Sequence, residues 1–356
     1  MTWRSFWRFM LATALALGAG LYVLVVAIDP YDSLATSLPL TRAPMVQNQR
    51  FSYPALARDA RFDSAVIGTS TTRLLRPARL DTALGGRFVN LSMNSATAYE
   101  QSQILALFVR RHPAPRTVII GIDAIWCAVG DDPPRLTERP FPPWLYDDNP
   151  WNDYLHLFNF PTLEQAGRMV AYLFGLRPAR YGRDGYGDFL PPVSDYDLAR
   201  ARTHLYGGPT PKTKAPVTPP FRPTVAARAA WRYPTHARLG AMLASLPAKT
   251  RKLLMVVPYH LYSQPAPGSL AAAQWAECKR RVAALVAATP NAVALDFMIP
   301  SSITRRDENY WDPLHYTTAI ADRLVAYLGQ GLAERRGAAD VFAFLAEGVV
   351  GGDSKP

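Results

Sequence analysis

Ala65-Val66-Ile67-Gly68-Thr69-Ser70-Thr71-Thr72 is the stretch on which the fold turns. Small and β-branched apolar residues end in Gly and pass directly into four hydroxyl residues. An apolar run bounded by turn residues reads as a short strand buried on both faces. A tight strand-to-helix turn at the carboxyl end of a parallel sheet presents a Ser70 hydroxyl to solvent and directs backbone N–H groups toward an oxyanion beside it. Gly and Ser are also ordinary turn residues. Alone, the stretch supplies a candidate nucleophile and nothing more.

Four further runs repeat the strand pattern: Phe88–Leu91, Val118–Ile122, Leu253–Val257 (stopped by Pro258) and Val293–Phe297. Between them the apolar spacing predicts helices over Tyr99–Arg111, Leu270–Ala288 and Thr317–Leu332. In the last, Ile320, Leu324 and Leu328 form one stripe. Strands alternating with helices predict an α/β fold with a five-stranded parallel sheet covered on both sides. The connection from about Trp126 to Arg251 is far longer than an ordinary crossover and is rich in Pro and aromatics. Helices are expected in it over Thr162–Phe174 and Val225–Leu246. It reads as an insertion over the sheet edge that carries the ligand site, or equally as a structural cap. Its stretch Trp144–Tyr154 mixes aromatics with carboxylates and reads first as core packing on a turn, second as a sugar-stacking platform. After Leu332, Val341–Leu345 reads as a C-terminal helix followed by a polar tail.

Phe9 to Ile28 carries no charge for twenty residues, with Arg4 and Arg8 before it and Asp29 after it. At 1.5 Å per residue it spans roughly 30 Å, a bilayer core. The flanking Arg residues place the N-terminus in the cytoplasm and the rest outside. An uncleaved, single-pass signal anchor is expected, with a cleaved signal peptide as its rival. The expected organisation is therefore a cytoplasmic tip and membrane anchor over 1–30, one domain over 31–335 with an insertion at about 127–250, and a C-terminal piece over 336–356.

The chain has 356 residues, 49% hydrophobic and 19% charged, which excludes a disordered protein. Lys+Arg is 39 against 28 Asp+Glu, a formal net charge of +11, and only six of the 39 are Lys. The surplus is scattered Arg, suited to carboxylate or phosphate groups. No basic run or nucleic-acid module is present, so nucleic-acid binding is not expected. Cys127 and Cys278 read first as two small buried side chains. A single bridge is the other reading, open to them in an oxidising compartment.

The second chemical signal is Tyr310-Trp311-Asp312-Pro313-Leu314-His315-Tyr316-Thr317. A carboxylate three residues before an imidazole orients it as a base, which a serine hydroxyl needs at neutral pH. With both signals and the intervening strands in place, the chain resembles the SGNH, or GDSL-type, hydrolase superfamily over about a third of its length. Gly68-Thr69-Ser70 is similar to the family's Gly-Asp-Ser block, with Thr for Asp. Asn90-Leu91-Ser92-Met93-Asn94-Ser95 is similar to Asn-x-Gly-x-x-Gly, with Ser at both Gly positions. Gly121-Ile122-Asp123 is similar to Gly-x-Asn, with Asp for Asn, and Asp312 and His315 match Asp-x-x-His. The resemblance implies a flavodoxin-like three-layer sandwich. It makes Ser70 the nucleophile, His315 the base and Asp312 its partner. Oxyanion binding falls to the N–H groups of Ser70 and Ser95. Asp123 occupies a donor's position although an ionised carboxylate donates nothing, which leaves Asn94 as a substitute donor or Asp123 as a simple cap. His260, after Pro258-Tyr259, is expected at the same sheet edge, as a substrate contact or as a structural histidine.

Together with Asp29-Pro30-Tyr31 after the anchor, the pattern resembles the membrane-anchored SGNH-like proteins of bacterial envelopes, including those of polysaccharide O-acetylation and teichoic acid D-alanylation. The resemblance implies a serine esterase or O-acyltransferase on the periplasmic face of the inner membrane. Its substrate would be an acylated carbohydrate or envelope polymer and its partner a membrane-bound O-acyltransferase, with no metal and no organic cofactor. The alternative is a catalytically weak SGNH-like scaffold that binds a polymer or that partner.

Overall fold

A computed structural model describes residues 2–348. In chain order its longer elements open with α1 (Trp3–Ile28), α2 (Gln49–Arg58), β1 (Ser64–Ile67), α3 (Pro77–Leu84), β2 (Phe88–Asn90), α4 (Ala98–Arg111), β3 (Thr117–Ile122) and α5 (Ala124–Cys127). The long connection holds α6 (Asp153–His156), α7 (Phe160–Leu173), α8 (Leu198–Tyr206), α9 (Val225–Ala230) and α10 (His236–Ala244). It is followed by β4 (Arg251–Val256), α11 (Leu270–Ala287), β5 (Ala292–Asp296), α12 (Thr318–Glu334) and β6 (Ala343–Glu347). The chain divides into two compact units, one of Met1–Leu56 with Arg139–Gly185, the other of Ala57–Glu138 with Tyr186–Pro356.

The larger unit holds one six-stranded sheet in the order β2-β1-β3-β4-β5-β6. β1 to β5 pair in parallel and β6 pairs antiparallel to β5. The fold is α/β with a mixed, mostly parallel sheet. Every residue of β1, β2, β3 and β5 is buried, so both sheet faces are covered. On one face Val66, Ile119, Leu253, Met255, Val293 and Leu295 pack with Leu80 and Leu84 of α3 and Ile320, Leu324 and Leu328 of α12. The predicted α12 stripe is therefore the core contact. Alternation sends Ala65, Ile67, Val118, Ile120 and Leu254 to the other face, where they are equally buried.

Three expectations are corrected. The predicted C-terminal helix over Val341–Leu345 is a strand, β6, and the tail beyond Gly348 lies outside the described residues. The stretch is too short for periodicity to separate the two states, and the open edge of β5 supplies a hydrogen-bonding partner. The single helix expected over Val225–Leu246 is two, α9 and α10, separated by Trp231–Thr235. Pro234 lies in the break, where it lacks an N–H for a helical bond. Cys127 and Cys278, read first as separate thiols, form a disulfide between α5 and α11, with Cα atoms 5.4 Å apart.

The smaller unit is organised on α1. Its 26 residues make about 39 Å of helix, and it is the one helix among the described residues long and apolar enough to cross a membrane. Only Val25 and Ile28, in its last turns, are buried. Asp29 caps it in the left-handed conformation, its N–H donating to the carbonyl of Val25. α1 packs on α7, and Tyr22 donates from its hydroxyl to the carbonyl of Tyr154. Trp144, Leu145 and Tyr146 are buried, as core packing requires, whereas Trp151, Leu155, Phe158 and Phe160 are exposed.

Candidate active site

Within the larger unit, Gly68-Thr69-Ser70-Thr71 follows β1 and leads into a 3₁₀ turn at Thr72–Leu74. Glycine is required at Gly68 and Gly121 for one reason: a Cβ at either would collide with the side chain of Thr72. Thr72 fills the space between the two strand ends and donates from Oγ1 to Ser92 Oγ at 2.9 Å. Asn90, fully buried, donates from Nδ2 to the carbonyls of Thr72 and Leu75, each at 2.9 Å, and accepts from Ser92 N–H through Oδ1 at 3.1 Å. This one side chain holds the turn after Ser70 in shape.

Ser70 Oγ lies 2.8 Å from His315 Nε2, and His315 Nδ1 lies 2.6 Å from Asp312 Oδ2. Burial works against the Asp312 charge, but the hydrogen bond and charge of His315 and the backbone N–H groups of Leu314 and His315 outweigh it. The carboxyl is held below its ordinary range. An ionised Asp312 can only accept, so Nδ1 carries the proton and Nε2 offers its lone pair to the Ser70 hydroxyl.

The sequence Asp-Pro-Leu-His is what makes this geometry local. Asp312 Oδ1 accepts from Leu314 N–H at 2.8 Å and His315 N–H at 2.9 Å, which leaves Oδ2 for the imidazole. Pro313 between them has no N–H to compete. Trp311 N–H donates to His315 O at 2.9 Å, and Tyr310 bridges Tyr316, closing a small hairpin. Two buried hydroxyls pin it: Tyr316 to the carbonyl of Thr71 at 2.5 Å, next to Ser70, and Tyr310 to the carbonyl of Pro258 at 3.1 Å. Tyr316→Phe strands the Thr71 carbonyl. It is expected to cost about 1–3 kcal/mol, read as a lowered urea midpoint with an unchanged m-value.

Ser95 sits in the turn after β2, with φ 54. The left-handed region favours glycine, the residue that the resemblance expects there. Met93 N–H donates to Gly68 O at 3.0 Å, which sets this turn alongside that of Ser70. Among the described residues, neither Ser70 N–H nor Ser95 N–H has a hydrogen-bond partner. Asn94 Oδ1 accepts from Arg73 Nη1 at 2.6 Å.

Asp123 is a cap. It accepts from Thr69 Oγ1 at 2.5 Å through Oδ2 and from Ile125 N–H at 3.0 Å through Oδ1, at the start of α5. Two of the departures from the blocks that the resemblance expects, Thr69 and Asp123, are thus bonded to each other. Burial lifts this carboxyl to about 6 against the pull of both bonds. Because the folded value lies above the unfolded one, its contribution to stability is complete below about pH 4 and is lost as pH rises through about 6, by about 3 kcal/mol. Asp123→Asn keeps the Ile125 bond and can donate to Thr69. Its stability advantage over wild type is expected to grow between pH 4 and pH 7, measured by denaturant midpoints. An advantage that does not change with pH would refute the account.

His260 stands at the exit of β4, but its ring does not meet the triad. Nδ1 accepts from Tyr262 N–H at 3.2 Å, and Nε2 lies 3.2 Å from Asp307 Oδ1. Burial lowers its pKa, with Asp307 acting in the opposite sense. No protein-family model matches the chain, and no curated protein matches it.

Two neighbours went unread in the sequence. Phe189, from the long connection, makes an edge-to-face contact with His315 with ring centroids 5.2 Å apart, and Arg73 lies over the Phe189 ring, 4.6 Å from its centroid. Arg73 also donates to the carbonyl of Gly187 at 3.3 Å. Arg73 lies three residues past Ser70, the one signal that could have flagged it. Phe189 lies in a Pro-rich run with no pattern to single it out.

Proposed function

We propose that the chain is a membrane-anchored serine esterase or O-acyltransferase, acting through an acyl-serine intermediate on an acyl ester of a cell-envelope glycan or polymer. The observation that carries the reading is the unbroken relay Ser70 Oγ, His315 Nε2, His315 Nδ1, Asp312 Oδ2, with both separations inside hydrogen-bond range. The Ser70 hydroxyl attacks the ester carbonyl as its proton passes to His315 Nε2. The unpartnered N–H groups of Ser70 and Ser95 are suited to receive the oxyanion. Collapse breaks the carbonyl–oxygen bond, and the leaving alkoxide takes the proton back from His315. Water or an acceptor hydroxyl then repeats the steps on the acyl-serine and frees Ser70. No step requires a metal or a cofactor.

The five parallel strands in the order 2-1-3-4-5, with Ser70 after the first, are consistent with an SGNH-type sandwich to which β6 adds an edge. The length and exposure of α1 support a single-pass anchor. The exposed Phe158 beside Tyr22, with Trp151 and Phe160 also exposed in the smaller unit, suits the boundary between bilayer and water. The Arg residues before α1 favour a periplasmic catalytic domain, where a membrane-bound O-acyltransferase is the expected partner.

A fluorophosphonate probe tests the reading on the full chain in detergent. One-to-one labelling confined to Ser70 is expected. A folded chain that refuses the probe would favour the second reading, a polymer-binding scaffold. One observation favours that reading: both Asp123 oxygens are spent on the cap, so the site lacks a side-chain donor there.

A further inference from the structure

One cavity of the larger unit, 530 Å³, is lined by five cationic side chains: Arg202, Lys212, Lys214, Arg305 and Arg306 on one side of the ledger, with Asp307 and Glu308 on the other. Their partners divide them. Arg202 Nε donates to Asp307 Oδ2 at 2.7 Å, Arg305 bonds Asp340 at 2.8 Å, and Arg306 stands 3.9 Å from Glu308. The two lysines have no carboxylate among the described residues. Lys212 Nζ donates to the carbonyl of Tyr206 at 2.6 Å and Lys214 Nζ to that of Gln264 at 2.9 Å. Each ammonium keeps donors to spare.

Asp307 cannot neutralise them. Its carboxylate already receives Arg202, the Tyr206 hydroxyl at 2.5 Å, and the approach of His260 Nε2. His260, 2% exposed, is a buried polar group lining the cavity, and its Nε2 makes no hydrogen bond of good geometry. Tyr206 and Tyr262 contribute ring surface, and Lys214 lies 5.3 Å over the Tyr262 ring. Pro211, Pro265 and Pro267 stiffen the rim. Two ammoniums without a carboxylate partner among the described residues, one of them over an aromatic face, suit an anionic group carried on a ring.

From this arrangement we infer that the cavity binds a carboxylate- or phosphate-bearing sugar or headgroup, held by Lys212 and Lys214. The site is separate from Ser70 and does not rest on the serine reading. Its location links it to the triad loop, since His260 N–H donates to the carbonyl of Pro313 at 3.1 Å, inside the Asp312–His315 turn.

The test is calorimetric titration of the full chain in zwitterionic nanodiscs with trigalacturonate, inorganic phosphate and neutral maltotriose. Trigalacturonate is expected to bind at least tenfold more tightly than maltotriose. Lys212→Gln/Lys214→Gln, at exposed positions, is expected to weaken it at least tenfold without moving the thermal midpoint. Lys249→Gln, an exposed lysine elsewhere, is expected to leave it unchanged. Loss of trigalacturonate affinity in phosphatidylglycerol nanodiscs would support the site with a lipid headgroup as its ligand; retained affinity would support a glycan. Equal binding of the neutral sugar, no effect of the double substitution, or an equal effect of Lys249→Gln would overturn the inference.

Discussion

Ser70→Ala is expected to lower the hydrolysis of an activated ester by on the order of 10⁴- to 10⁶-fold and to abolish fluorophosphonate labelling. That loss corresponds to about 5–8 kcal/mol of transition-state stabilisation. The size follows from the relay. Without Oγ no acyl-serine forms, and His315 is left with only water to activate. His315→Ala should cost as much, because a hydroxyl with no base is a poor nucleophile at neutral pH. The double substitution should add little to either, since the parts act as one unit. Asp312→Asn separates orientation from presence. The amide would donate to His315 Nδ1 and force the imidazole proton onto Nε2, which would then donate to Ser70 Oγ instead of accepting from it. A loss of about 10⁴-fold is expected from that tautomer change alone. Ester hydrolysis by Ser70→Ala at more than a tenth of the wild-type rate would end the catalytic reading. The far-UV spectrum should not move, because Ser70 is half-buried in a turn held by Thr72 and Asn90.

The five parallel strands and the meeting of Ser70 with Asp312 and His315 were legible in the sequence, for the same physical reason. Strands buried on both faces are written as unbroken apolar runs, and the residues after each run must lie at the carboxyl edge. Ser70 and the Asp312–His315 turn therefore had to converge once the strands were parallel, across 245 positions of sequence. What was illegible depends on side chains reaching across loops. Tyr316 reads as an ordinary aromatic beside His315, yet its hydroxyl fixes the backbone of Thr71. Asp123 and Thr69 looked like two separate departures from a family pattern, whereas together they form one hydrogen-bonded cap. Phe189 arrives from a part of the long connection that lies outside its helices. β6 is illegible as a strand because an edge strand takes its state from its neighbour, not from its own spacing.

Replacing Cys127 and Cys278 together by serine is expected to destabilise the larger unit by about 2–5 kcal/mol. The bridge spans 151 positions, so in the unfolded chain it removes the entropy of a very long loop, about 5 kcal/mol in the chain-entropy relation. For a unit of this size the thermal midpoint should fall by about 5–15 °C. The effect should reach the active site, because α5 is capped by Asp123 and ends at Cys127. Loosening α5 frees the cap that holds Thr69 beside Ser70, so labelling at Ser70 should slow before the unit unfolds. On the proposed anchor, the same pair reports which side of the membrane the unit occupies, because such bridges persist in oxidising compartments and are rare in the cytosol. Protein isolated under alkylating conditions should take up no maleimide when denatured and two equivalents after reduction. Two free thiols without reduction, and a double-serine variant as stable as wild type, would place the unit on the reducing side and reverse the orientation that Arg4 and Arg8 imply for α1.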